Sequence, residues 1–231
     1  MSSVPSFAPA PPQATLGRRG ALVPSFPAWG LTWRTLVMGL GVALVVPAPW
    51  AGVWYYRWFA ERIALPDARP FRLAATAGDS WMLFVALGLV EWAGAGLAGV
   101  LGNGAGNLVA LVVNAALGAW LVRWFTARLR TDDGGTGVAF EGSVLGFVGW
   151  NILLFLSIFT VIGWAWVLKA WTNWIARAVR GSFSAEFTGT GLELLWRTLV
   201  FGVGAALIIP IPWALKWWTN WFVSRFVVTP A

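Results

Sequence analysis

The 231-residue chain is 58% hydrophobic and only 11% charged, with 19 Trp, a net charge of +7 and a mean hydropathy of +0.71. Soluble globular proteins carry roughly 25% charged residues, so this chain has too little polar surface to cover a water-exposed sphere of its size, and its composition points to the bilayer as solvent. It has neither Cys nor His, which excludes disulfides, thiolate nucleophiles, Cys/His zinc sites, iron–sulfur clusters, His-ligated haem and every His-based triad.

Residues 1–30 are rich in Pro, Ser and Ala and have almost no helical periodicity; they predict a disordered tail ahead of a single transmembrane domain over 31–231. No secretory signal fits, because the pair Arg18-Arg19 is followed by a proline-broken stretch. No basic cluster exceeds two adjacent residues, so the positive charge predicts anionic headgroups rather than nucleic acid as its counterpart.

Beyond the tail the chain repeats itself. Trp33-Arg34-Thr35-Leu36-Val37 recurs at Trp196-Arg197-Thr198-Leu199-Val200, and sixteen of the 27 positions aligned between 33–59 and 196–222 are identical. Trp166-x-Leu168-Lys169-x-Trp171-Thr172-Asn173-Trp174 recurs at Trp213-x-Leu215-Lys216-x-Trp218-Thr219-Asn220-Trp221. Four units follow, starting near residues 24, 71, 140 and 187. Each has a short Phe-x-Gly-like entry, an apolar arm, a breaker (Pro47-Ala48-Pro49, Gly102-Asn103-Gly104, Gly163, Pro210-Ile211-Pro212) and a Trp-rich second arm ending in arginine. Linkers such as Thr131-Asp132-Asp133-Gly134-Gly135 predict short turn or strand segments.

The fold class expected from this pattern is an all-α, polytopic integral membrane protein of four degenerate helical repeats. Two topologies fit. The chain crosses five times, at about 32–52, 80–100, 105–123, 144–166 and 192–213, or each unit is a hairpin with all linkers on one side. Arginines concentrated in the linkers favour the hairpins; Lys169 and Lys216, about two turns past a breaker, fit them less easily.

Phe140-Glu141-Gly142-Ser143, Asn151-Ile152-Leu153-Leu154 and Thr160-Val161-Ile162-Gly163, with Phe187-Thr188-Gly189-Thr190-Gly191-Leu192-Glu193-Leu194 and Pro212-Trp213-Ala214, resemble the phrases of the YjgN-like bacterial inner-membrane family. The similarity is clearest over residues 140–225. Trp here replaces much of that family's Tyr and Lys, and the break lacks its longer T-L-G-I-Y phrase. The family is a membrane domain of unknown function, so the resemblance implies a multi-pass location in the bacterial inner (cytoplasmic) membrane and assigns no activity.

Three sets of side chains are candidates for chemistry. Trp50, Trp54, Trp58 and Trp213, Trp217, Trp221 recur at a spacing of four, giving one helical stripe per arm: a face for a flat lipid-soluble ligand, or an interfacial belt. Arg57, Arg123, Asn173 and Asn220 fall at equivalent positions one residue before the final Trp, and Lys169 and Lys216 extend the same polar stripe; they predict a polar pathway or headgroup contacts. Glu91 lies midway along an apolar run, as a proton-coupling site or a buried structural hydrogen bond. Glycines such as Gly39, Gly41, Gly202 and Gly204 predict close helix contact. No metal site, cofactor or nucleophile–base pair is indicated. The expected function is non-catalytic: a membrane scaffold or lipid-interacting subunit whose partners are membrane lipids, other membrane subunits or further copies of itself. The alternative is a small-solute channel or transporter.

Overall fold

Each repeat unit folds as a helical hairpin, and the breakers are the points of reversal. The computed structural model describes residues 19–101, 103–131 and 137–230. The first hairpin pairs α1 (Ala28–Ala43) with α2 (Ala48–Glu61), the second α3 (Ala77–Leu101) with α4 (Asn103–Arg128). The third pairs α5 (Val144–Ser157) with α6 (Trp164–Ala178), joined through a 3₁₀ turn at Ile158–Thr160, and the fourth α7 (Gly191–Ala206) with α8 (Ile211–Ser224). Local sequence sets the helix starts. Ser143 caps α5 by accepting from the Gly146 N–H, Thr190 and Glu193 form a reciprocal capping box on α7, and Pro49 and Pro212 occupy the first turns of α2 and α8, where no N–H is needed.

Short strands close the base of every hairpin, the entry strand pairing antiparallel with the exit strand of the same unit. In the first unit β2 (Val23–Pro24) meets β3 (Ile63–Ala64); in the second β4 (Phe71–Leu73) meets β5 (Leu129–Thr131). In the third β6 (Val138–Phe140) meets β7 (Val179–Gly181), and in the fourth β8 (Phe183–Phe187) meets β9 (Phe226–Pro230). A further strand, β1 (Gly20–Ala21), adds to β9 and so ties the first unit to the last. Residues alternate along β4 and β6: Phe71, Leu73, Val138 and Phe140 are buried while Arg72 and Ala139 face outward. Phe71 and Val138 of this set reach a hub lined by strands of all four units around a cavity of about 180 Å³, with Leu129, Phe183 and Val228 also in its wall. Around the hub the hairpins pack in a closed ring, α2 on α3, α4 on α5, α6 on α7 and α8 back on α1.

Two expectations are corrected. The chain is mixed α/β rather than all-α, because the linkers supply the strands just described. Nor is the multi-pass, inner-membrane arrangement supported. Among the described residues one helix, Gly104–Arg128, is long and apolar enough to cross a membrane, and Val144–Thr160 is apolar but shorter. Helices α1, α2, α5, α6, α7 and α8 have 14 to 16 residues, or about 21–24 Å, against a hydrocarbon core of about 30 Å. The spans expected at 32–52, 144–166 and 192–213 each run through a reversal, so their apolar length is divided between two antiparallel helices. Of the Pro-rich N-terminal segment, residues 1–18 lie outside the described residues, whereas 20–30 form β1, β2 and the start of α1. The turn expected at 131–135 lies, from residue 132, outside them as well.

Close helix approach needs a glycine at Gly41, where an added Cβ would stand 2.5 Å from the Ala51 Cβ, and at Gly52, where it would strike the Phe84 ring. Gly39, by contrast, faces open space. Gly41→Ala is therefore expected to destabilise the fold by about 1–3 kcal/mol through overpacking, and Gly39→Ala to stabilise it by up to about 1 kcal/mol through helix propensity. Denaturant midpoints of the two variants check the contrast, and equal midpoints would refute it.

Candidate functional site

The most unusual backbone lies at the hairpin tips. Val45, Val161 and Ile208 have φ of 60°, 62° and 62°, a region that β-branched residues rarely enter and that stores about 1–3 kcal/mol of strain. The three positions are repeat-equivalent. Each centres a γ-turn in which the next N–H reaches back two residues: Val46 to Leu44 O, Ile162 to Thr160 O and Ile209 to Leu207 O, all 2.7 Å. At the fourth tip the accounting is complete from 207 to 214. Leu207, Ile208, Ile209, Ile211, Trp213 and Ala214 donate to Val203, Ala205, Leu207, Ile208, Pro210 and Pro210 carbonyls respectively, and Pro210 and Pro212 have no N–H. Outward from these turns stand apolar side chains: Val46 is 75% exposed, Val161 78% and Ile209 82%. Residues 35–56, 142–168 and 198–215 carry no charge.

Towards the base the Trp stripe sinks into the protein. Trp50 is 64% exposed, Trp54 40% and Trp58 7%. The fourth unit repeats this, with Trp213 exposed, Trp217 half-buried and Trp221 buried, and Trp120 and Trp124 follow the same gradient. The stripe is thus no uniform ligand face; its outer members lie near the tips and its inner members are core. A cation is stacked on it twice. The Arg34 guanidinium carbon lies 4.8 Å from the Trp54 ring and 4.5 Å from Trp58; Arg197 lies 4.6 Å from Trp196, 4.7 Å from Trp217 and 4.8 Å from Trp221. Arg62 and Arg225 approach the same Trp58 and Trp221 rings at 5.8 and 6.0 Å. Periodicity alone did not reveal these stacks, although the recurrence of Trp33-Arg34 at Trp196-Arg197 carried the signal.

The four equivalent polar positions are latches. Arg57 donates to the Ala75 carbonyl at 2.5 Å and Arg123 to the Gly142 carbonyl at 2.8 Å. Asn173 accepts from the Phe187 N–H at 3.2 Å and Asn220 from the Phe26 N–H at 3.4 Å. Each therefore holds the entry segment of the next unit, and Asn220 in the last unit holds the first. They stand between neighbouring hairpins, engaged with backbone, rather than together around a water path. Lys169 is half-buried and Lys216 exposed, each about two turns past its tip. Glu91 belongs to α3, with its side chain outside the described residues.

Beside the Arg197 stack an open cavity of about 540 Å³ is lined by Pro24, Arg197, Trp213, Lys216, Trp217, Asn220, Trp221 and Ser224. Nearby, Glu193 is committed twice: it accepts from the Thr190 N–H to complete the α7 cap, and it pairs with Arg225. The Thr190 N–H first, then the Arg225 guanidinium, hold its carboxyl below the ordinary glutamate range. No family model matches the chain, and no curated protein or solved structure matches it either. The similarity of residues 140–225 to the YjgN-like family accordingly rests on its motifs alone.

A depressed carboxyl pKa contributes stability that is fully present above the unfolded-state value and is lost as pH falls through the folded-state value. Acidification below the ordinary glutamate range should therefore weaken the α7 cap and the Arg225 pair, lowering the unfolding midpoint. Glu193→Gln should lower the midpoint at neutral pH and flatten that part of the acid limb. An acid limb unchanged in the variant would show that Glu193 does not contribute to it.

Proposed function

We propose that the protein is a non-catalytic, lipid-interacting protein whose first, third and fourth hairpin tips insert into one lipid leaflet from a single side. The backbone at the fourth tip carries the proposal. In water an N–H left open at a reversal is solvated, and a strained turn at a β-branched residue brings no advantage. In hydrocarbon each unsatisfied N–H costs several kcal/mol, more than the strain. At this tip the exposed residues Ile208 and Ile209 are also ones whose N–H groups are satisfied within the turn, and the side chains there are all apolar.

The spacing of charge supports the same placement. From Ile208 it is eight residues to Lys216 and eleven back to Arg197, or about 12 and 16 Å of helix, near the 15 Å half-thickness of a hydrocarbon core. Val161 and Lys169, and Val45 and Arg34, repeat the two spacings. With tips at mid-bilayer depth, these cations reach headgroup level together with Trp54 and Trp217, nine residues or about 14 Å past their tips, where amphipathic rings are favoured. The latched base stays outside as the rigid part.

Partitioning into phosphate-free digalactosyldiacylglycerol vesicles tests the insertion without electrostatic help. Ile209→Asp and Ile162→Asp replace exposed tip residues that touch little of the protein, so circular dichroism should be unchanged. Vesicle association should fall at least about tenfold for each, from lost apolar burial and a charge placed in hydrocarbon. Association unaffected by both substitutions would remove the tips from the mechanism.

A further inference from the structure

Building on the lipid-interacting reading, we propose that the cavity between Arg197 and Lys216 is a binding site for the phosphate group of an anionic phospholipid. Three observations carry it. First, the Arg197 guanidinium is stacked on aromatic rings and, among the described residues, makes neither a hydrogen bond nor a salt bridge, although Glu193 on the preceding turn of α7 acts on it electrostatically; its Nε–H is buried without an acceptor. Its two terminal nitrogens, unlike the buried Nε, carry N–H donors that have no partner among the described residues, and a planar guanidinium can offer such donors side by side to an oxyanion. Second, Lys216 stands on the same cavity wall from the opposite helix of the hairpin, supplying a second cation with no acid opposite. Glu193, the nearby carboxylate, is already used by Arg225 and the Thr190 cap. Third, the wall continues from these cations to the exposed ring of Trp213. A ligand whose phosphate lies between Arg197 and Lys216 would thus place its glycerol and acyl portions beside Trp213 and the apolar tip.

The repeat provides an internal contrast. Arg34 is the equivalent of Arg197 and is stacked on Trp54 and Trp58, but Val53 stands where Lys216 would be. The first hairpin therefore has half of the site, and the fourth has both cations.

The test uses the full chain with two probes: digalactosyldiacylglycerol vesicles with and without brominated phosphatidylglycerol, read by quenching of Trp fluorescence, and inorganic phosphate titrated against the detergent-solubilised protein. Lys216→Gln is the principal variant, because Lys216 is exposed and its loss leaves the core intact; Arg197→Lys keeps the charge and removes the planar fork. Excess quenching by phosphatidylglycerol in the parent, reduced about fivefold in Lys216→Gln and also in Arg197→Lys, each taken relative to the same protein's own association with phosphate-free vesicles, is the expected result. Saturable binding of inorganic phosphate that Lys216→Gln abolishes, without preference for phosphatidylglycerol, would overturn the lipid as the source of the phosphate. Neither binding nor preference would overturn the site itself. If the chain fails to associate with phosphate-free vesicles, the insertion proposal fails by that measurement, and the phosphate titration still decides the site.

Discussion

The fold depends on how each unit's entry segment, arriving at the base with unpaired backbone groups, is held by the unit before it. One side chain does this at each junction: a carbonyl taken by Arg57 or Arg123, an N–H taken by Asn173 or Asn220. The chemistry switches from donor to acceptor between the first two junctions and the last two, while the position in the repeat is kept. Because the fourth latch returns to Phe26, the hairpins form a closed ring, and the strands they carry are brought round one apolar hub. The latch side chains, part-buried at the junctions, are each satisfied by one of these bonds.

Ring closure also places the tips. With every base fixed at the hub, the strained turns at Val45, Val161 and Ile208 lie at the far ends of their hairpins. Strain of this kind persists only where something compensates it. The compensation here is the backbone hydrogen bond that each turn makes within itself, which has its full value only where water is absent. The distribution of side chains follows: apolar tips, then Trp, then Arg and Lys, then the latched base.

Much of this arrangement was legible in the sequence. The repeat gave four units, the linker arginines favoured hairpins over spans, and the shared position of Arg57, Arg123, Asn173 and Asn220 marked them as one set. Their role was not legible, because the partner is backbone, between 14 and 194 residues away, and has no side-chain signature. The spans were misread for a related reason. Val45 and Ile208 carry no sign of a turn, so an apolar run that reverses looks the same as one that continues, and Pro47 and Pro210 mark where the next helix begins more than where the last one ends. Strands of two to five residues fall below the length at which alternation can be recognised. The spacing of Trp50, Trp54 and Trp58 located a helical stripe correctly; that the stripe runs from exposed to buried depends on the ring around it.

The junction between Asn220 and Phe26 has one further consequence, for the order of assembly. The first entry segment is made before any of the four hairpins, and its latch, its strand partner Val227–Val228 and its packing partner α8 appear only with the fourth. The second, third and fourth hairpins can each be accepted by a neighbour already in place, through contacts local in the chain. Closing the circle instead requires a contact across 194 residues, whose loop entropy is the cost of joining the first unit to the last. Until then the first hairpin has one open flank, and the same flank on a second chain offers an identical fit, so the nascent protein is poised between sealing itself and exchanging its first hairpin with a neighbour.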